Sequence, residues 1–154
     1  MATVMHASVI TAATIRVAGQ VHTDVTISHL GTPEQEASLR IGELLIYVRD
    51  PHIVGRIAEL WTAKRTATAA LPQVIGASRL HLPIRVGLVG VIVRLGGDPA
   101  CTTSWIPGRP GVAEPSHMRV EIGPIVFEAC DQVAWHSIGR AFTVLHRQLT
   151  AATS

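Results

Sequence analysis

The sequence predicts an α+β domain of two duplicated β-β-β-α halves, forming an antiparallel sheet with two helices packed on one face. Three observations lead there. Residues 39–65, LRIGELLIYVRDPHIVGRIAELWTAKR, lie without a gap on residues 120–146, VEIGPIVFEACDQVAWHSIGRAFTVLH, at a shift of 81. Residues 14–19, TIRVAG, lie on residues 92–97, IVRLGG, at a shift of 78. Within each copy the apolar period changes from two to 3.6 at an Asp, the mark of strand giving way to helix.

Taken in order, residues 8–19 read as the first strand, 20–24 as a turn and 25–30 as the second strand. The polar stretch Gly31-Thr32-Pro33-Glu34 is a loop. Leu39 and Ile41 alternate with Arg40, as in a half-buried strand, and Leu44 to Val48 resumes as an almost wholly apolar, buried run. Gly42-Glu43 interrupts the two runs, as Gly123-Pro124 does in the second copy. Pro124 has no N–H for a ladder, so that point is a bulge, an edge or a tight turn. Asp50 and Asp131 stand where an N-cap carboxylate meets the free N–H groups of a first helical turn. Pro51 follows at a position where its missing N–H costs nothing.

Both helices carry an apolar stripe: Ile53, Ile57, Leu60 and Trp61 in the first, and Ala134, Ile138, Ala141, Phe142, Leu145 and Leu149 in the second. The first fades through residues 66–70 and stops before Pro72. The pseudo-repeats thus span about 8–70 and 86–150, joined by a Pro/Gly-containing link over residues 71–85, within one domain covering 1–154. Gly96-Gly97-Asp98-Pro99 reads as a hairpin turn, and residues 101–106 as the returning strand. The change of shift from 78 to 81 places a three-residue insertion in the loop 107–117, where insertions are cheapest.

Composition narrows the function classes. The chain of 154 residues is 47% hydrophobic but only 4% aromatic, so its core is built mainly from Val, Ile, Leu and Ala. Charged residues are 16%, below the usual quarter of a soluble domain, which favours a surface partly covered by a second copy. Net charge is +2, so electrostatics alone would not send the chain to nucleic acid. Lys64 is the only Lys among 13 basic residues, a bias that a GC-rich genome produces without any functional demand. No uncharged apolar span of membrane length exists, residues 1–13 lack the pattern of a secretory signal, and two cysteines make no disulfide framework. These features fit a cytoplasmic protein with reduced thiols and no membrane partner.

No catalytic, metal or cofactor motif stands out. The eight histidines and two cysteines include no ligand pair such as Cys-x-x-Cys or His-x-x-x-His, and His117, Cys101 and Cys130 can meet only through the fold. Gly96-Gly97 lacks the Gly-x-Gly-x-x-Gly pattern and the following helix of a phosphate site. No catalytic residue, cofactor or metal is therefore assigned. The features suited to binding are arginines. Arg16, Arg40, Arg94 and Arg119 point away from the helices among Thr and Ser, a face able to touch DNA phosphates and base edges. Arg140 and Arg147 line the outer side of the last helix with His136 and Thr143. The expectation is a small non-catalytic binding or accessory protein whose partner is nucleic acid or a second copy of itself. Two other classes remain open, a purely structural homo-oligomer and a small enzyme using a Cys or His.

Overall fold

The computed structural model describes residues 12–63, 68–75, 90–111 and 114–154. The first half runs β1 (Ala13–Val17), β2 (Thr23–Ser28), β3 (Glu36–Ile41), β4 (Leu44–Val48) and α1 (Pro51–Ala63). The second runs β5 (Val91–Leu95), β6 (Cys101–Ile106), β7 (His117–Ile122), β8 (Ile125–Ala129) and α2 (Gln132–Thr153). The class is α+β, as the sequence predicts. Of the sequence expectations, residues 8–11 of the first strand, 66–67 of the fading stretch of α1, 76–85 of the link and the start of the second half at 86–89 lie outside the described residues.

The strands number four in each half, and they form two sheets instead of one. Gly42 and Gly123 take positive φ, +55° and +53°, and each opens a two-residue turn that folds the expected third strand into a pair, β3–β4 and β7–β8. Pro124 therefore occupies the tight turn. One sheet has the order β2-β3-β4-β5, and we call it the first sheet; the other, β1-β8-β7-β6, is the second.

Each sheet holds three strands of one half and one strand of the other. β1 does not pair with β2. It runs parallel to β8, with Ile15 opposite Phe127, and β5 likewise runs parallel to β4, with Val93 opposite Ile46. The turns expected at residues 20–24 and 96–99 are therefore crossings between sheets. Local bonds explain why β1 leaves its own half. The Val17 carbonyl accepts from Cys130 N at 2.9 Å, and the Asp131 carboxylate accepts from Gly19 N at 2.8 Å, so the end of β1 is tied to the end of β8. Alternation reveals a strand but not its partner. The almost wholly apolar runs, β4 and β8, occupy central positions with a neighbour on either side, as parallel-paired strands do.

The two halves correspond in register. Thr23 pairs with Ile41 and Cys101 with Ile122, positions displaced by 78 and 81, the same shifts seen in the sequence. The shift changes between β6 and β7, across the loop 107–116, where the sequence places the insertion.

The inner faces of both sheets close on the helix pair. Leu39, Ile41 and Ile46 of the first sheet and Val120, Ile122 and Phe127 of the second are buried with Ile57, Ile138 and Leu145 of the helices. The few aromatics are concentrated here. Trp61 lies 4.6 Å from Trp135, 5.6 Å edge-on to Phe127 and 6.2 Å from Phe142, ring centre to ring centre. The helices run antiparallel, since Gly55 meets His146 while Trp61 meets Gly139. A Cβ added at Gly139 would stand 2.9 Å from Trp61 Cβ, so glycine sets how closely the helices cross.

Candidate functional site

A groove of about 550 Å³ lies between β2 and α2. One wall is a stripe of α2, Val133, Ser137, Arg140, Ala141, Val144 and Gln148, whose spacings of three and four keep them on one side. The other is Val21, Thr23, Asp24 and Val25 of β2 and its approach.

The chemistry of this groove comes from backbone. β2 ends its sheet, with β3 as its neighbour and no strand beyond it among the described residues. Gly42 N donates to the His22 carbonyl at 3.0 Å, which makes that pair a hydrogen-bonded one. Antiparallel pairs alternate, so residues 24, 26 and 28 turn their N–H and C=O toward β3, and Thr23, Val25 and Ile27 turn theirs outward. Ser137 fits this pattern, because its hydroxyl donates to the outward carbonyl of Val21 at 3.3 Å. Among the described residues, a ladder of unpaired donors and acceptors thus runs beside a helix.

The second half treats the corresponding position differently. Arg56 of α1 stands where Ser137 does, and it hydrogen-bonds both the Asp98 carboxylate and, at 3.3 Å, the Pro99 carbonyl. A small Ser thus stands at the β2–α2 groove where the larger Arg56 reaches Asp98 and the Pro99 carbonyl in the other half.

The six arginines singled out by sequence do not converge. Arg16 and Arg119 lie on the outer face of the second sheet, Arg40 and Arg94 on that of the first. Arg16 bonds Glu128 at 3.1 Å, Arg119 bonds Glu121 at 2.7 Å, and Arg94 lies 3.6 Å from Glu36 and 5.4 Å above the Tyr47 ring. Arg40 is exposed beside Asp24. Arg140 lines the groove with His136, while Arg147 is exposed further along α2. Neither Arg140 nor Arg147 has an ion-pair partner among the described residues.

Fold proximity does bring titratable groups together, in a set the sequence did not single out. Glu114, His117 and Glu128 offer donor atoms within 4.8 Å of one another on the outer side of the second sheet, next to Arg16. Among the described residues, these three are so placed that they could hold a metal ion. Cys101 is elsewhere, beside Arg56 and Asp98. Burial raises the Cys101 thiol and pushes the Cys130 thiol up to about 11, so both are protonated at neutral pH and poor nucleophiles. Neither signal was available to sequence reading. A free strand edge is a property of pairing, and Arg16 and Glu128 are 112 positions apart.

Comparison of the chain with family models, curated proteins and solved structures finds no match.

Proposed function

We propose that this chain is a non-catalytic binding protein that takes an extended segment of a partner protein along the free edge of β2. The observation that carries the reading is the outward ladder of Thr23, Val25 and Ile27 beside the α2 stripe. An added strand completes such an edge with main-chain hydrogen bonds, and the flanking side chains select its sequence. The selecting groups are Arg140 and His136 on α2, beside Val133, Ala141 and Val144 and across from Asp24. The α2 wall favours a segment with an acidic residue facing Arg140 and alternate small apolar side chains.

The test is selection of peptides from a displayed random library on the purified protein, followed by two variants. Enriched peptides should carry an acidic residue, and Arg140→Glu should weaken them by about tenfold or more. Val25→Pro should abolish binding while leaving the fold intact, because its N–H faces the open edge and an edge strand tolerates proline there. Binding that survives both variants overturns the groove. Nucleic acid is the competing partner, through exposed Arg40 and Arg147. Duplex DNA affinity that falls steeply with salt and depends on those two residues would favour it.

Self-association is a second reading, favoured by Ile92. This side chain is 70% exposed on the outer face of the first sheet, opposite half-buried Leu45 and next to the Tyr47 row. A second copy covering this stripe would remove exposed apolar area from water, and Ile92→Glu would lower the sedimentation mass. No helix among the described residues is long and apolar enough to cross a membrane. The free thiols Cys101 and Cys130 support a cytoplasmic setting, and the matching registers support descent from a duplicated unit.

A further inference from the structure

The cluster on the second sheet has more acceptors than its protein donors satisfy. His117 is 2% exposed at its side chain and Glu128 9%, so both are closed off from water. The Pro115 carbonyl lies 3.0 Å from His117 Nδ1. A carbonyl only accepts, as a carboxylate does, and Nε2 lies 3.1 Å from Glu128 Oε2, so both ring nitrogens face acceptors. A neutral imidazole carries a single N–H, so the second contact requires a positive centre, a further ring proton or a metal ion.

Charge makes the same demand. Arg16 lies 3.1 Å from Glu128 and 3.8 Å from Glu114, so one guanidinium faces two carboxylates. At the corresponding place in the first sheet, Arg94 faces the single carboxylate of Glu36 and the neutral ring of Tyr47. Among the described residues, the second carboxylate beside the arginine is found at the second sheet and not at the first. It arises where the longer loop delivers Glu114 and the Pro115 carbonyl to the sheet.

We infer that Glu114, His117 and Glu128 form a binding site for one divalent transition-metal ion, which Arg16 closes when no metal is bound. One imidazole nitrogen and two carboxylates suit Zn²⁺, Mn²⁺, Fe²⁺ or Co²⁺. The hold on His117 is the arrangement that ligating histidines use, with the far ring nitrogen bonded to a backbone carbonyl and the near one free for the metal. The donors already stand within 4.8 Å, and Glu114, 31% exposed at its side chain, is free to rotate inward. Arg16 is 25% exposed at its side chain, so its guanidinium has a path to solvent as the ion enters. Two carboxylates then balance the dication in place of the arginine.

The experiment is calorimetric titration of chelator-treated full chain with Zn²⁺ and with Co²⁺, the latter also read by its visible absorption. The expected result is one ion per chain, with the absorption of a nitrogen- and oxygen-ligated Co²⁺. Glu114→Gln and His117→Asn should each abolish that isotherm, and because Glu114 is partly exposed its variant remains folded by circular dichroism. Arg16→Gln should tighten binding by about tenfold or more, since a competing cation is removed from the site. A cluster held by a ring proton alone gives no stoichiometric binding in the native chain or in Arg16→Gln. That result overturns the inference, as does binding that survives both ligand variants.

Discussion

At the scale of single residues, Asp131 joins three separate parts of the chain. It is fully buried, and its carboxylate accepts from Ala134 N at 2.7 Å, Gly19 N at 2.8 Å and Ile75 N at 3.1 Å. One group thus caps α2, fixes the crossing after β1 and anchors the link that follows α1. Removing it strands three N–H donors, each costing about 1–3 kcal/mol when buried. Asp131→Ala should therefore lower unfolding stability by about 3–5 kcal/mol in urea. A loss under about 1 kcal/mol would show that water replaces the carboxylate. Its neighbour Cys130 makes a prediction about pH. Burial pushes the folded thiol up to about 11 from an ordinary 9.0. Between these values the unfolded chain releases a proton that the folded chain keeps. Stability is complete below pH 9 and declines as pH rises toward 11, by about 2–3 kcal/mol in all. Cys130→Ala should flatten that part of the stability profile, and an unchanged slope would exclude the thiol as its source.

At the scale of elements, the helix crossing is the most constrained contact. The methyl of Gly139→Ala would meet Trp61 Cβ, an atom fixed to backbone, so the helices must separate. The expected cost is about 1–3 kcal/mol, read as a lower Tm. Gly55→Ala is the control on the same interface. Its methyl would meet the His146 ring tip at 3.0 Å, which can rotate away, and alanine gains about 1 kcal/mol in helix propensity. Gly55→Ala should leave Tm unchanged or raise it; equal losses in both would mean that the interface yields everywhere. The elements themselves were legible in the sequence because their signals are local. The stripe through Ala134, Ile138, Phe142 and Leu145 is buried, and Asp131 caps α2 as expected. The sheet partners were not legible. Val17 and Leu95 alternate with arginine in the same way whether the next strand is their own or belongs to the other half. The candidate site was hidden for the same reason. Arg140 was visible as a cation on a helix face, but the free edge beside it exists only because β2 ends a sheet.

At the scale of the whole molecule, exchange of β1 and β5 makes each half depend on the other. Without residues 76–154, β1 loses its partner β8, β4 loses β5, and α1 loses α2 from a core centred on Trp61, Trp135 and Phe142. What remains buries too little apolar area to offset the entropy of ordering it. Residues 1–75 and 76–154, made separately, should each be unfolded as monomers, and mixing should restore the circular dichroism of the intact chain. Tryptophan fluorescence reports the same assembly, because Trp61 and Trp135 come from different halves and meet at 4.6 Å. The intact chain should correspondingly unfold in one transition by both probes. A fragment 1–75 that folds as a monomer, with its own cooperative transition, would mean that the exchanged strands decorate two independent units instead of locking them into one. The distinction matters for binding, since the groove is built from β2 of one half and α2 of the other. If the halves fold only together, a partner on β2 stabilises the whole chain, and its affinity appears as a rise in the single Tm.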